Sequence, residues 1–350
     1  MTTSQPFDFH LNRPGTLIAA LPAVLGFVPE NSLILVTVDR GDMGCVMRVD
    51  LSPELADSIG QFCDAAAAGA PEAAIAVVVD AEGYACPACT AGHRELTDLL
   101  NVSLDKRGIE LLAAHVVDRV EAGGQWQCAD QCGAGGVVDD PSASPLTMAA
   151  VLDGRRLYSR RADLQRIIEP DSAHCARLAE LLGRRGQAGR TPDRPDADAR
   201  ADIEGAITAT GRLARGEVLA DEELAGLARS LTDPRVRDPL YALAVGDSAE
   251  QAEALWVTLS RCLPAPWRVE ALVLLAFSAY ARGDGPLAGV SLEAALRCGP
   301  THRMAGMLDT ALQSGMRPEQ IRELAVTGYR RADSLGVQLP PRRLFGRRAG

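Results

Sequence analysis

Apolar residues fall in short runs over the first 120 positions and in helical periods beyond position 200. Leu33–Val38 and Ala74–Val79 are continuous apolar runs rich in β-branched residues, the pattern of buried strands. Cys45–Leu51 alternates, and Arg40–Gly44 supplies a turn between it and the first run, so the two predict a hairpin. Ile109–Val117 predicts another strand and Trp126–Cys128 a brief extended piece. Leu17, Ile18, Leu21 and Leu25 have helical spacing, with Asn12 and Pro14 to start the helix and Gly26 to end it. Ser52 and Pro53 open a helix to about Ala68, Thr90 opens one that Gly108 closes, and Ser144–Pro145 starts a short one to Leu152. The strand–helix–strand–helix–strand order from Cys45 to Val117 implies parallel pairing through right-handed crossovers. Residues 1–160 therefore read as an α/β domain, a mixed sheet with an initial β-hairpin and parallel βαβ units.

Past residue 160 no strand pattern remains. Residues 161–200 read as a connecting helix and a flexible linker, because Gly183–Arg200 has no apolar period. Helices are expected at about 201–215, 221–231, 234–245, 248–262, 266–282, 286–297, 301–313 and 318–330, with caps at Asp221, Asp233, Asp247 or Ser248, and Pro318 in a first turn. Residues 201–330 are thus an all-α domain. Gly246-Asp247 and Gly283-Asp284 occupy corresponding turns, and residues 273–300 resemble a tetratricopeptide hairpin through Tyr280, Gly289 and Pro300. Glu293 falls where that repeat expects a large apolar residue, so a small solenoid and an ordinary bundle both fit.

Composition narrows the function classes. Hydrophobic residues make up 47% of the 350 and charged residues 23%, enough for a real core in two domains. The net charge of -10 argues against general binding to nucleic acid or anionic membrane. Lys106 is the sole lysine, so the arginine excess reads as a codon effect. The exception is residues 331–350, expected to be a basic disordered tail, where Arg331, Arg342, Arg343, Arg347 and Arg348 flank Pro340 and Pro341. A solvated tail is the first expectation and a tether to an acidic partner the second; nucleic acid is not expected as a partner except through this tail. Thr16–Val28 is too short to span a membrane, is interrupted by Pro22 and has only Arg13 as a nearby basic residue, so a cytoplasmic location is expected. A protein partner is expected on the helical domain.

Nine cysteines in a reducing compartment stand as thiols, metal ligands or catalytic groups. Cys86 and Cys89 follow one expected strand; Cys128 and Cys132 follow the next. If those strands are parallel neighbours, both pairs emerge at one sheet edge and supply four soft ligands for a structural zinc ion, with His93 as a possible substitute ligand. The same CPAC motif, set between a strand and a helix, also suits thiol–disulfide exchange, with Cys86 as nucleophile and Cys89 as resolving thiol. Asp39, Asp80 and Asp118, each at a strand end, form a third candidate: a divalent-metal site for hydrolysis. Cys45, Cys63, Cys175, Cys262 and Cys298 read as packing thiols. No GxGxxG, P-loop, GxSxG or HExxH motif occurs. The leading functional reading is a non-enzymatic binding or scaffold protein whose α/β domain is stapled by zinc.

The run LGFVPENSLI, the strand VMRVDL, the Trp126–Cys132 segment, Val236-Arg237-Asp238 and LLAFSAYARGDGPLAG together resemble the actinobacterial domain of unknown function 4192 family. The resemblance covers nearly the whole chain. It implies an α/β N-terminal region and a helical C-terminal region, and it carries no activity. Members of that family often have adjacent cysteines near the tryptophan; here Cys128 and Cys132 are separated.

Overall fold

The computed structural model describes residues 13–152, 155–184 and 194–342. The chain divides into two compact units, one reaching to Leu164 and including Gln313–Gly315, the other made of Gln165–Leu312 and the residues from Met316 on. Among the described residues, no helix is long and apolar enough to cross a membrane.

In the first unit α1 (Pro14–Leu25) precedes β1 (Ser32–Asp39), β2 (Asp42–Asp50), α2 (Leu55–Ala67) and β3 (Ala73–Val79). Then come α3 (Pro87–Asp105), β4 (Glu110–Val117), β5 (Gln125–Cys128), β6 (Gly135–Val137) and α4 (Pro145–Leu152). Pro14 stands at the start of α1, where a missing N–H costs nothing, and Gly26 ends it at φ 76°, its N–H donating to Pro22 O at 2.8 Å. The cap expected at Asn12 lies outside the described residues. The polar GFVPENS loop is pinned by β2: Leu51 N donates to Asn31 O at 3.0 Å and Arg48 Nε to Ser32 Oγ at 2.7 Å.

The six strands form one mixed sheet in the order β2-β1-β3-β4-β5-β6. The β1–β2 hairpin is present as expected, and β3 and β4 are parallel neighbours joined through α3. The other crossover differs from expectation. β1 lies between β2 and β3 and is antiparallel to both, so the β2–α2–β3 unit straddles a strand. Central β1 and β3 then have both faces covered. Leu33, Leu35, Ala74, Ala76 and Val78 join Leu55, Ile59, Leu100 and Leu104 of α2 and α3 in one core. The alternate residues Ile34, Val36, Ile75 and Val77 are at most 4% exposed on the other face. There Trp126 approaches α1, where a Cβ on Gly15 would lie 2.4 Å from Val137 O and 3.6 Å from Trp126 Nε1.

The second unit is helical. After α5 (Arg161–Gln165) come α6 (Ser172–Arg184), α7 (Asp196–Ala214), α8 (Asp221–Ser230) and α9 (Pro234–Leu240), which runs into a 3-10 turn at Tyr241–Val245. The chain continues through α10 (Ala249–Cys262), α11 (Arg268–Arg282), α12 (Gly285–Cys298), α13 (Arg303–Gln313) and α14 (Pro318–Ser334). Helix α11 is buried on nearly every side, so it acts as the spine. Its Phe277 meets Tyr241 with ring centroids 4.8 Å apart. The α11–α12 hairpin expected at 273–300 is formed: Gly283 turns at φ 90° and Asp284 Oδ1 accepts from Leu287 N at 3.0 Å. The array does not run only between sequence neighbours, because α14 returns to pack on α9, on the 3-10 turn and on α11.

Two expected flexible segments are more structured than composition implied. Of the linker, residues 185–193 lie outside the described residues, but α7 already begins at Asp196, where Asp196 and Asp198 place acidic groups at its positive end. Of the basic tail, α14 extends to Ser334, Val337 is 1% exposed, Tyr329 donates to Pro340 O at 3.0 Å and Asp247 N to Pro341 O at 3.0 Å. Residues 343–350 lie outside the described residues.

Gly328 lets α14 approach: a Cβ there would lie 2.9 Å from both Ala242 Cβ and Pro239 O. Gly328→Ala will therefore lower the urea midpoint of the helical unit, costing about 1–3 kcal/mol through overpacking. Gly226→Ala on α8, whose Cβ would meet nothing within 4 Å, will raise it by up to ~1 kcal/mol. Circular dichroism during urea unfolding reads both; equal shifts would refute the close approach.

Candidate functional site

The β3–α3 connection is built around one carboxylate. Asp80 extends the ladder beyond β3, its N–H donating to Val117 O at 3.0 Å. Its Oδ1 accepts from Gly83 N at 2.8 Å and its backbone carbonyl from Tyr84 N at 3.0 Å, so the chain turns sharply. Its Oδ2 lies 2.9 Å from His93 Nε2. Glycine is required at 83, since a Cβ would sit 2.0 Å from Asp80 Oδ2 and 3.0 Å from Cys89 Cβ.

This turn delivers Cys86 to the N-cap of α3 with φ -90° and ψ 117°, and Pro87 to the first helical position. The helix starts three residues earlier than the Thr90 expected from spacing, because Pro87 is preset for a first turn. Cys89 is thereby inside the helix. Both thiols are half-buried and free. The neutral Cys86 thiol makes no capping hydrogen bond. The Cys89 N–H, the Cys89 S–H and the Ala88 N–H nevertheless favour its thiolate and hold its pKa below the ordinary thiol value, against opposition from burial and the Asp80 charge. The Cys89 thiol is pushed up, first by donating to Cys86, then by burial and by the negative charges of Cys86 and Asp80. One pair of like residues has become one acidic and one reluctant thiol.

The second cysteine pair lies elsewhere. β3 and β4 are parallel neighbours, as required, but β5 folds back antiparallel on β4 and carries Cys128 to a position opposite His115. Alternation then places the Cys128 and Gln127 side chains on opposite faces. Gln127 reaches the CPAC loop, its Nε2 donating to Tyr84 O at 3.4 Å. Cys128 instead meets Asp130 and Cys132: one donor atom from each lies within 4.8 Å of the other two. Cys86, Cys89 and His93 are not part of that group, so among the described residues the four sulfurs do not gather at one centre. This Cys-Asp-Cys group can hold a metal ion. Its tight turn uses Gln131 at φ 60° and Gly133 at φ 87°, and Cys132 N donates to Asp130 Oδ1 at 2.9 Å. The Cys128 and Cys132 thiols and the Cys132 N–H hold the Asp130 carboxyl down to about 2, the Cys128 thiol contributing most. Burial, aided by hydrogen bonds to Asp130 and Cys132, pushes the Cys128 thiol up to about 12.

The strand-end aspartates do not form the third candidate site. β1 is antiparallel to β3, so Asp39 ends at the opposite edge of the sheet from Asp80. Asp118 is spent on its own turn, accepting from Gln125 N at 2.7 Å and pairing with Arg119 at 2.7 Å. Cys63 and Cys262 are buried packing thiols, as expected. Two participants were missed from sequence. Asp130 has no role in the sequence analysis, although a carboxylate midway between two cysteines is a donor spacing. The pairing of Asp80 with His93 had a signal too, since His93 lies four residues after Cys89 on the same helix face.

No curated protein and no solved structure matches the chain. A family profile described as a domain of unknown function (DUF4192) matches residues 14–319. With the matched region running from α1 into α14, and taking in both cysteine pairs, the chain belongs to the DUF4192 family.

Proposed function

We propose that the α/β unit carries out thiol–disulfide exchange at Cys86 and Cys89. The observation that carries this reading is Cys86 at the N-cap of α3, with the helix amides and the Cys89 thiol favouring its thiolate. The thiolate attacks a disulfide R–S–S–R′, forming Cys86–S–S–R and releasing R′S⁻. Cys89 then attacks Cys86 Sγ, closing the Cys86–Cys89 disulfide and releasing RS⁻. The dithiol loses two electrons and two protons and the substrate disulfide gains both. A small or protein disulfide is the partner class, and no metal takes part.

The pH dependence follows from the shifts. Because the Cys86 pKa is lowered, alkylation of Cys86 by iodoacetamide reaches half its plateau at lower pH than alkylation of Cys89, whose pKa is raised. Peptide mass mapping across pH 5 to 10 will read the two sites separately. Oxidised glutathione will convert the pair to an intramolecular disulfide with a potential between about -270 and -120 mV, the span of CxxC oxidoreductases. Cys86→Ser abolishes this, and identical alkylation profiles at the two cysteines would remove the basis of the reading.

A second reading concerns metal. Cys128, Asp130 and Cys132 support a zinc site of two thiolates and a carboxylate, with a fourth position left to water. It is independent of the exchange chemistry. Because the Cys128 proton must leave for the metal to bind, affinity will rise with pH between 6 and 9. Zinc titration against a chromophoric chelator measures this. Cys128→Ser and Asp130→Asn will each weaken binding at least tenfold, while Cys86→Ser leaves it unchanged. Loss with Cys86→Ser instead would restore a site shared by both pairs.

A further inference from the structure

Exchange at a CxxC pair has a second step that a low-pKa nucleophile does not help. Cys89 must lose its proton to attack the mixed disulfide on Cys86, and the surroundings of Cys89 hold that proton. Cys89 and His93 are four residues apart on α3 and therefore share a face, and helical side chains lean back towards the N-terminus. Asp80 Oδ2 and Cys89 Cβ lie 2.0 and 3.0 Å from the point where a Gly83 Cβ would sit, so they are at most about 5 Å apart. Asp80 is bound to His93 at 2.9 Å.

The hydrogen-bond inventory fixes how this pair is set. A carboxylate only accepts, so His93 Nε2 carries the proton that it donates to Asp80 Oδ2. In the neutral ring, Nδ1 is then the bare nitrogen. His93 is 7% exposed, and its Nδ1 is buried with no hydrogen-bond partner among the described residues. The same holds for His115 Nδ1, so the open nitrogen alone assigns no role; His93 is distinguished by its bond to Asp80, the carboxylate beside Cys89. The titratable groups on the neighbouring elements include Cys86 and Cys89 on α3, Tyr84 in the connection before it, and Asp118 after β4, whose charge is paired with Arg119.

We infer that the Asp80–His93 pair is the proton acceptor for Cys89, converting it to the thiolate as it attacks the Cys86 mixed disulfide. This inference rests on the exchange reading above. The Cys89 S–H bond breaks, its proton passes to the pair, the new S–S bond forms between Cys89 and Cys86, and the electron pair of the broken mixed-disulfide bond leaves on RS⁻. The proton is then returned to RS⁻ or to water, so the pair is restored. Asp80, whose Oδ2 lies within about 5 Å of Cys89 Cβ, takes the proton, and His93 holds that carboxylate through Nε2.

Rapid mixing of the full reduced chain with oxidised glutathione, followed by acid quench and peptide mass mapping, separates two quantities: the Cys86–glutathione mixed disulfide and the Cys86–Cys89 disulfide. Cleavage after glutamate isolates residues 83–95, which hold Cys86 and Cys89 and no other cysteine. Asp80→Asn keeps an acceptor for Gly83 N, and His93→Gln is a second variant from the other half of the pair. Both are expected to form the mixed disulfide at the original rate or faster and to resolve it at least tenfold more slowly at pH 7, within the usual reach of general base catalysis. The resolution rate in the variants will rise about tenfold per pH unit, following the Cys89 thiolate fraction, while the intact protein shows a shallower dependence. A purely structural role would not change that slope. If both variants resolve the mixed disulfide with the rate and pH profile of the intact protein, the proton-acceptor role is overturned and the exchange reading stands. If the intact protein forms no mixed disulfide at Cys86, both are overturned.

Discussion

Strands β1 and β3 have no face turned to water, and the organisation of the α/β unit follows from that constraint. A strand with both faces buried is left with apolar side chains along its length, so polar chemistry is displaced to its ends. β3 meets this with Ala, Ile and Val alone. The first carboxylate after it, Asp80, stands where the backbone must change direction. It satisfies Gly83 N and faces a buried imidazole, so a group that begins as a turn-former also becomes the local charge.

Much of this unit was legible in the sequence because burial writes itself into composition. Leu33–Val38 and Ala74–Val79 could be recognised as strands from apolar content, and Pro14 and Gly26 bracket α1 by backbone preference alone. Strand order was not legible. Whether β1 or β2 sits beside β3 depends on which has two buried faces, and only comparison of the continuous β1 run with the alternating β2 run hints at it. The cysteine pairs were separated by a similar detail. Four residues of β5 fold back on β4, and a strand of that length leaves almost no periodic signal. Residue types at the candidate sites were readable; their convergence was set by pairing, which is a long-range property.

The helical unit solves a different problem. With aromatics at only 4% of the chain, its core depends on close approach of small residues, and Gly328 and Ala242 are an instance. Charge then supplies direction. Arg237 pairs with Glu270 at 3.0 Å and with Asp238 at 2.9 Å, while His302 meets Glu270 at 3.2 Å, joining α9, α11 and the start of α13. Arg282 ties Glu253 of α10 to the Asp284 cap of α12. Partly buried pairs of this kind add little net stability, since desolvation offsets attraction, but a misregistered helix leaves one partner unpaired at a cost of several kcal/mol. They discriminate among the ways in which Ala- and Leu-rich helices pack.

A carboxylate beside a dithiol looks counterproductive, because its charge disfavours both thiolates. The geometry shows why the two cysteines respond differently. Cys86 faces the first free amides of α3, which outweigh Asp80; Cys89 gives its S–H to that stabilisation, and its own N–H does not offset the loss of that donor together with burial and the charges of Cys86 and Asp80. In the proposed exchange, attack on an incoming disulfide falls to Cys86 because of the helix terminus. In that same proposal, resolution by Cys89 needs a transient acceptor rather than a permanent positive charge, since a permanent one would create two competing thiolates. A carboxylate held by a buried imidazole with one open nitrogen meets that requirement, and its placement follows from the same turn that ends β3.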